Sequence, residues 1–167
     1  MQDTISRYLQ QIPDNAQQRV LAPPFKALAT SHNTQPLRTA GLVIKAGGGV
    51  LAKIGAADYY GVVGGRLVTI AASTDMTALT GLVITANSFN VACFFIDSAS
   101  VVTVKFGTEG TALLSVKFPD FPQDKALVGF LIITHSATFT GGTTALDTAT
   151  TVYVSPVGAF DPTTLFS

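Results

Sequence analysis

The sequence has few of the residues that carry out enzymatic chemistry or covalent cross-linking. Its 167 residues include one cysteine, two histidines, one glutamate and no tryptophan. The single Cys93 excludes an internal disulfide. Its neighbours at positions 91–95 are Val-Ala-Cys-Phe-Phe, an apolar run that predicts a small buried side chain and not a reactive thiol.

The histidines and the glutamate have no partner at catalytic spacing. His32 lies in a polar stretch, and His135 precedes Ser136 directly. Consecutive side chains of a strand point to opposite faces, so His135 and Ser136 cannot act as a nucleophile and its base. Because Glu109 is the only glutamate, an acid–base pair of carboxylates would need aspartates, most of which fall at predicted turns. We therefore predict no catalytic residues and a protein that is not an enzyme.

The sequence also contains few residues that could form a site for a metal, a cofactor or a nucleotide. No two His, Cys, Asp or Glu residues have the spacing of metal ligands on one predicted helix or strand. Asp120 and Asp124 could at most bind a cation weakly. The three glycines at 47–49 lack the Lys-Ser/Thr ending of a phosphate loop. They predict a flexible turn or a close approach of two backbones. No metal and no cofactor are expected.

Charge is scarce and balanced. Ten basic and ten acidic residues cancel, and none form a run, which argues against nucleic acid or a membrane surface as a partner. Charged residues make up 12% of the chain, about half the usual share of roughly 25%. Two explanations remain open: part of the surface is covered by other protein, which we favour, or Thr and Ser coat a soluble monomer.

Neither a signal peptide nor a membrane-spanning helix is expected. Asp3 and Arg7 occupy positions where a signal peptide would be apolar. The longest clean apolar run, residues 126–133, has the length of a strand and falls far below the roughly 20 residues that span a bilayer. We expect synthesis in the cytoplasm.

Residues 1–38 form a predicted N-terminal arm of short helices and a proline-containing extended segment. The first helix has an apolar face, and Pro13 ends it. Such pieces cannot close a core, so we expect the arm to dock on another protein surface. Its large apolar side chains and prolines are the predicted docking residues: Tyr8, Leu9, Ile12, Pro23, Pro24 and Phe25.

Residues 39–167 form the predicted body, in which short apolar runs alternate with turn residues. Even spacing without helical patterns favours an all-β fold, an antiparallel β-sandwich or jelly-roll-like body. The predicted strands cover residues 41–45, 50–54, 59–63, 66–71, 81–85, 88–96, 101–106, 112–118, 126–134 and 150–155. Residues 31–36 are predicted to be loop, and Gly64 with Gly65 to form a tight hairpin turn.

Motifs in the C-terminal half resemble a family of tailed-bacteriophage virion structural proteins, of the capsid-decoration or head-fibre type. They occur in order at residues 107–111 (Gly-Thr-Glu-Gly-Thr), 116–122 (Val-Lys-Phe-Pro-Asp-Phe-Pro), 128–133, 139–147 and 157–162. The resemblance implies a structural role in the virion and no catalytic residues.

Taken with the composition, the resemblance leads us to expect a virion structural protein at the capsid exterior, made in the host cytoplasm. The expected partners are copies of itself, with a homotrimer as the leading assembly, and the major capsid protein or other virion proteins. A receptor- or carbohydrate-binding module of a tail or fibre tip is the alternative. For a sugar platform, Tyr59 and Tyr60 are the candidate residues.

Replacing His32, His135, Cys93 or Glu109 singly should leave assembly and any host binding intact, because none has a catalytic partner. Stability losses should stay near 1 kcal/mol each. Assembly assays together with turnover assays on peptidoglycan, polysaccharide and nucleotide check this. A substitution that abolishes a measurable turnover while the fold persists would contradict the structural interpretation.

Overall fold

A computed structural model describes residues 33–161, and the fold in this range is all-β with antiparallel pairing throughout. Its strands are β1 Gln35–Pro36, β2 Val43–Ile44, β3 Ala52–Lys53, β4 Tyr59–Val63, β5 Arg66–Ile70, β6 Val83–Ile84, β7 Phe89–Ile96, β8 Val102–Phe106, β9 Ala126–Thr134, β10 Phe139–Thr140 and β11 Thr150–Val154. Between β8 and β9 a 3₁₀ turn covers Leu113–Ser115. No helix within 33–161 is long and apolar enough to cross a membrane.

A four-stranded sheet in the order β11-β9-β7-β8 forms the centre of the body. Strands β7 and β9 pair over their whole length, and almost every residue of both is buried. A β-bulge at Phe94/Phe95 shifts this register. The burial of β9 on both faces is what its continuous apolar run predicts.

Strands β4 and β5 form a hairpin, and β1 extends it to a three-stranded sheet in the order β1-β4-β5. Gly64 and Gly65 both have positive φ, at 58° and 80°. A two-residue turn with both φ angles positive matches the twist of the flanking strands, and glycine takes it without a steric penalty. The predicted hairpin turn is therefore confirmed.

Two hydrophobic clusters cover the two faces of the four-stranded sheet. The larger joins Phe94, Leu131 and Ile133 to Tyr59 and Val68 of the three-stranded sheet and to residues from the remaining strands. The smaller contains Val91, Cys93, Phe95, Val116, Leu127 and Phe130, with Phe118, Phe121 and Phe160 packed against it. Loop segments, and not a second sheet, therefore supply the cover on this side.

The strand predicted at residues 112–118 is wrong. The chain forms a 3₁₀ turn at Leu113–Ser115, where the Ser115 hydroxyl donates to the Ala112 carbonyl oxygen at 2.8 Å and accepts from the Ala112 N–H at 3.2 Å. These local bonds compete with a strand ladder, and only an isolated bridge between Thr108 and Lys117 remains. Sequence analysis also missed β10, which is two residues long.

The loop prediction for residues 31–36 is wrong at Gln35–Pro36, because these residues form β1 and pair with β4. The Leu37 N–H donates to the Tyr60 carbonyl oxygen at 2.9 Å, and the Gly158 N–H donates to the Pro36 carbonyl oxygen at 2.9 Å. Residues 33–38, counted above with the arm, thus bond directly to the body. The predicted arm helices and all six predicted docking residues lie outside the described range.

Removing residues 1–38 should lower the melting temperature of the body by several degrees relative to removing residues 1–32. The longer deletion takes away β1, the buried Pro36 and the partners of β4 and Gly158. Losing about 1–2 kcal/mol of unfolding free energy lowers the melting temperature of a domain of this size by roughly 3–10 °C. Calorimetry of the two truncated proteins beside the full chain checks this, and equal melting temperatures would contradict it.

A candidate docking pocket

Five phenylalanine rings form a continuous cluster on the side of the four-stranded sheet covered by loops. Phe95 and Phe130 come from the sheet, and Phe118, Phe121 and Phe160 come from the loops. Edge-to-face pairs join Phe95 to Phe121, with ring centroids 5.2 Å apart, and Phe118 to Phe130 at 5.1 Å. Phe121 stacks on Phe160 at 6.2 Å. Each such contact adds about 0.5–1.5 kcal/mol beyond the area that it buries.

Local chemistry lays residues 116–122 across the sheet. Pro119 and Pro122 remove backbone donors and restrict the chain on either side of Phe121 to extended conformations. The Lys105 ammonium donates to the Asp120 carbonyl oxygen at 3.3 Å, which ties this segment to the edge strand β8. The segment is therefore held by ring packing and by one side-chain tether, without strand pairing of its own beyond the bridge at Lys117.

A pocket of about 290 Å³ opens beside this aromatic cluster. Apolar groups make up most of its wall, and the polar lining comes from Thr34, Gln123 and Lys125. The lining residues are Thr34, Pro36, Phe95, Phe121, Pro122, Gln123, Lys125, Leu127, Gly158, Ala159 and Phe160. The Lys125 ammonium donates to the Thr103 hydroxyl at 3.2 Å, so its charge is held to one side.

The pocket lies where both ends of the described chain meet the body. Thr34 and Pro36 follow the first described residue, and Phe160 precedes the last. Two exposed aliphatic side chains lie next to these lining residues in the chain: Leu37 is 48% exposed and Val157 is 56% exposed. The Gly158 N–H bonds to the Pro36 carbonyl oxygen, so each of these exposed residues adjoins a lining residue near the same backbone contact.

Cys93 and His135 occupy structural positions. Cys93 lies in β7 with no exposed surface, as its neighbours predicted, and burial raises the pKa of its thiol, which disfavours the reactive thiolate. The Nδ1 atom of His135 lies 2.9 Å from the Ala137 carbonyl oxygen and 3.2 Å from the Ala137 N–H, within a local turn. His32 lies outside the described residues.

The tyrosine pair does not form a sugar-binding platform. Tyr59 is 0% exposed, and its hydroxyl donates to the Leu127 carbonyl oxygen at 3.3 Å. Burial raises the pKa of this hydroxyl. Tyr60 is half-buried, with the Arg38 guanidinium carbon 6.0 Å from its ring centroid. Tyr59 therefore offers no ring face to a sugar.

A hydrogen bond to Glu109 connects the loop after β8 to Thr85, the residue that follows β6. The Glu109 carboxylate accepts a hydrogen bond of 3.2 Å from the Thr85 N–H. Hydrogen bonds from Thr85 are the main cause that lowers the pKa of Glu109, and one from Ser88 adds to them. The single glutamate thus has a structural partner.

The glycines at 47–49 form a turn that receives an aspartate from a distant loop. The Gly49 N–H donates to the Ala46 carbonyl oxygen at 2.9 Å, and the Gly48 N–H donates to the Asp147 carboxylate at 2.6 Å. A side chain on Gly49 would lie 2.7 Å from the Ala46 carbonyl oxygen. This agrees with the predicted turn of closely approaching backbones. Within residues 33–161, no three His, Cys, Asp or Glu side chains are grouped in a way that could hold a metal ion.

The pocket brings together residues that sequence analysis did not connect. Phe95 was expected in a strand, Phe121 in a proline-flanked turn and Phe160 in the last motif, so these three rings come from three separate segments. No local signal links all three rings, because Phe121 and Phe160 lie in the motifs at 116–122 and 157–162 and Phe95 lies in neither. Comparisons with protein-family models, with curated proteins and with solved structures found no match.

Replacing Glu109 by Gln should flatten the acid limb of the stability curve. A lowered folded-state pKa means that the carboxylate stabilises the native state above the ordinary glutamate value of 4.5, and that this contribution is lost as the pH falls through the lower folded value. The difference in unfolding free energy between wild type and Glu109→Gln should therefore be present at pH 7 and should shrink once the pH falls below 4.5. Chemical denaturation across this range measures it, and a difference that grows at low pH would contradict the assignment.

Proposed function

We propose that this protein is a structural subunit of a tailed-bacteriophage virion, which acts through protein–protein contacts at the capsid exterior. The observation that carries the proposal is the open aromatic pocket, with exposed aliphatic residues next to its lining residues in the chain, on a chain in which only 12% of residues are charged. Apolar surface of this kind is typical of protein interaction sites. The motifs between residues 107 and 162 add support through their resemblance to virion proteins.

We infer a β-sandwich as the finer architecture of the body. The three-stranded sheet packs on one face of the four-stranded sheet, and the larger hydrophobic cluster lies between them. The Tyr59 hydroxyl on β4 reaches the Leu127 carbonyl oxygen on β9, which supports contact between the two layers. A stiff body of this type suits a particle surface, since most of its apolar groups are buried within it.

The proposed role requires no catalysis. Cys93 is buried, His135 contacts its own turn, and Glu109 accepts from the Thr85 backbone. These side chains have structural roles that account for their positions. The expected partners are copies of the same chain, with a homotrimer as the leading arrangement, and the major capsid protein or another virion protein.

The purified protein should form an oligomer in solution or be stably bound to the particle. Apolar surface around the pocket would otherwise remain in contact with water. Mass photometry at micromolar concentration measures the oligomer, and antibody labelling of purified virions in the electron microscope should place the protein on the head. A clean monomer that is also absent from purified virions would contradict the proposal.

A further inference from the structure

The pocket has the chemistry of a site for an extended, proline- and aromatic-containing peptide. Phe95, Phe121 and Phe160 provide ring surfaces, and Pro36 and Pro122 continue the apolar wall. Proline-rich segments are recognised in this way, because the preformed extended backbone loses little entropy when it docks on aromatic side chains. A volume of about 290 Å³ accommodates one or two side chains and not a whole folded element.

The chain itself contains a segment of this composition. Residues 20–28 are Val-Leu-Ala-Pro-Pro-Phe-Lys-Ala-Leu, and Pro23–Pro24 restrict the backbone ahead of Phe25 to an extended form. Between positions 15 and 32 the charged residues are Arg19 and Lys26, with no acidic residue. By composition the segment is therefore apolar and basic, and its two adjacent prolines predict an extended backbone.

The rim of the pocket complements that charge. Asp120 and Asp124 flank the lining residues at 121–123, and both are exposed. Neither forms a salt bridge within residues 33–161. The nearby ammonium groups of Lys105 and Lys125 already donate to the Asp120 carbonyl oxygen and the Thr103 hydroxyl. A cation such as that of Lys26 would meet carboxylates at this rim.

We propose that this pocket binds residues 20–28 of a second copy of the chain, with the Pro23–Phe25 stretch in the pocket and Lys26 beside the rim carboxylates. This proposal rests on the proposed function as a structural subunit, and it identifies a second copy of the chain as the partner that the pocket binds. The donor is a second copy because Leu37 and Val157, which adjoin the lining residues Pro36 and Gly158 in the chain, are exposed outside the pocket. A second body at this face covers them while it delivers its segment, whereas a segment folded back within one chain adds no such body.

The connection is long enough for this exchange. Phe25 and Thr34 are nine positions apart, which gives about 30 Å of extended chain at roughly 3.3 Å per residue. A domain of this size has a radius of gyration of about 14 Å. Since each segment joins the body at the rim of its own pocket, two copies that meet by this face bring each segment within reach of the other pocket.

Two complementary full-length variants test the exchange. Phe25→Ala removes the donor side chain and keeps the pocket. Ala159→Phe fills the pocket from an exposed lining residue and keeps the segment. Each variant alone should lose wild-type assembly, with at least a ten-fold rise in the dissociation constant by mass photometry. The matched control is Val83→Phe, at an exposed position outside the pocket, which should assemble like wild type.

Fluorescence then identifies the donor copy, because the natural sequence has no tryptophan. A chain that carries both Phe25→Trp and Ala159→Phe has a blocked pocket and one indole at position 25. Titration with Phe25→Ala, whose pocket is open, should shift the indole emission to shorter wavelength and saturate near equimolar ratio. Titration with a chain that carries both Phe25→Ala and Ala159→Phe should give no shift.

Each other result overturns the proposal. Wild-type assembly of both single variants would show that the pocket and the segment do not form the contact. Loss of assembly in both, without an emission shift on mixing, would show that the segment folds back on its own body. Circular dichroism of Ala159→Phe separates these results from misfolding. Virion labelling is independent of the titration, so a protein present on particles that gives no shift would leave the proposed function standing and remove this inference alone.

Discussion

The pairing of β7 with β9 is the interaction on which the rest of the molecule depends. Both strands are buried on both faces, so the central sheet is stable only when each face is covered. Among the described residues, the other strands and sheets cover one face, and residues 116–122 and the segment around Phe160 cover the other. Loops cover the face of a sheet less completely than a second sheet does. The aromatic pocket is the part of this face that the loops leave uncovered.

The geometry of β9 shows how closely the covered face is packed. A side chain at Gly129 would lie 2.6 Å from the Leu42 side chain and 2.6 Å from the Val154 carbonyl oxygen. The β-bulge beside it places the extra residue Val128 in the larger cluster and lets Phe130 return to the smaller one. One backbone irregularity therefore fits the same strand to a tightly packed layer on one side and to a looser aromatic layer on the other.

Sequence patterns predicted the parts of this fold that local chemistry determines. The apolar run of β9, the alternation in β8 and the paired glycines of the β4–β5 hairpin each carry their own signal. β1 carries none, because two residues that include a proline become a strand only through their contact with β4. The pocket could not be predicted from the sequence for the same reason. Its rings come from separate segments, and no local pattern indicates that they come together. The predicted strand at 112–118 failed where a serine side chain bonded to its own backbone.

The energetics of a single pocket favour a role in an array. Burying one phenylalanine removes about 150–250 Å² from water, worth roughly 4–6 kcal/mol at about 25 cal/mol per Å². Association of two free proteins costs an estimated 4–15 kcal/mol in lost motion, so one anchor and its prolines are close to balanced in dilute solution. Once copies are held side by side, each further contact becomes intramolecular, and its effective concentration rises to the millimolar range. In the proposed assembly, a closed ring of copies therefore holds together in solution at concentrations where a single contact of this strength would dissociate.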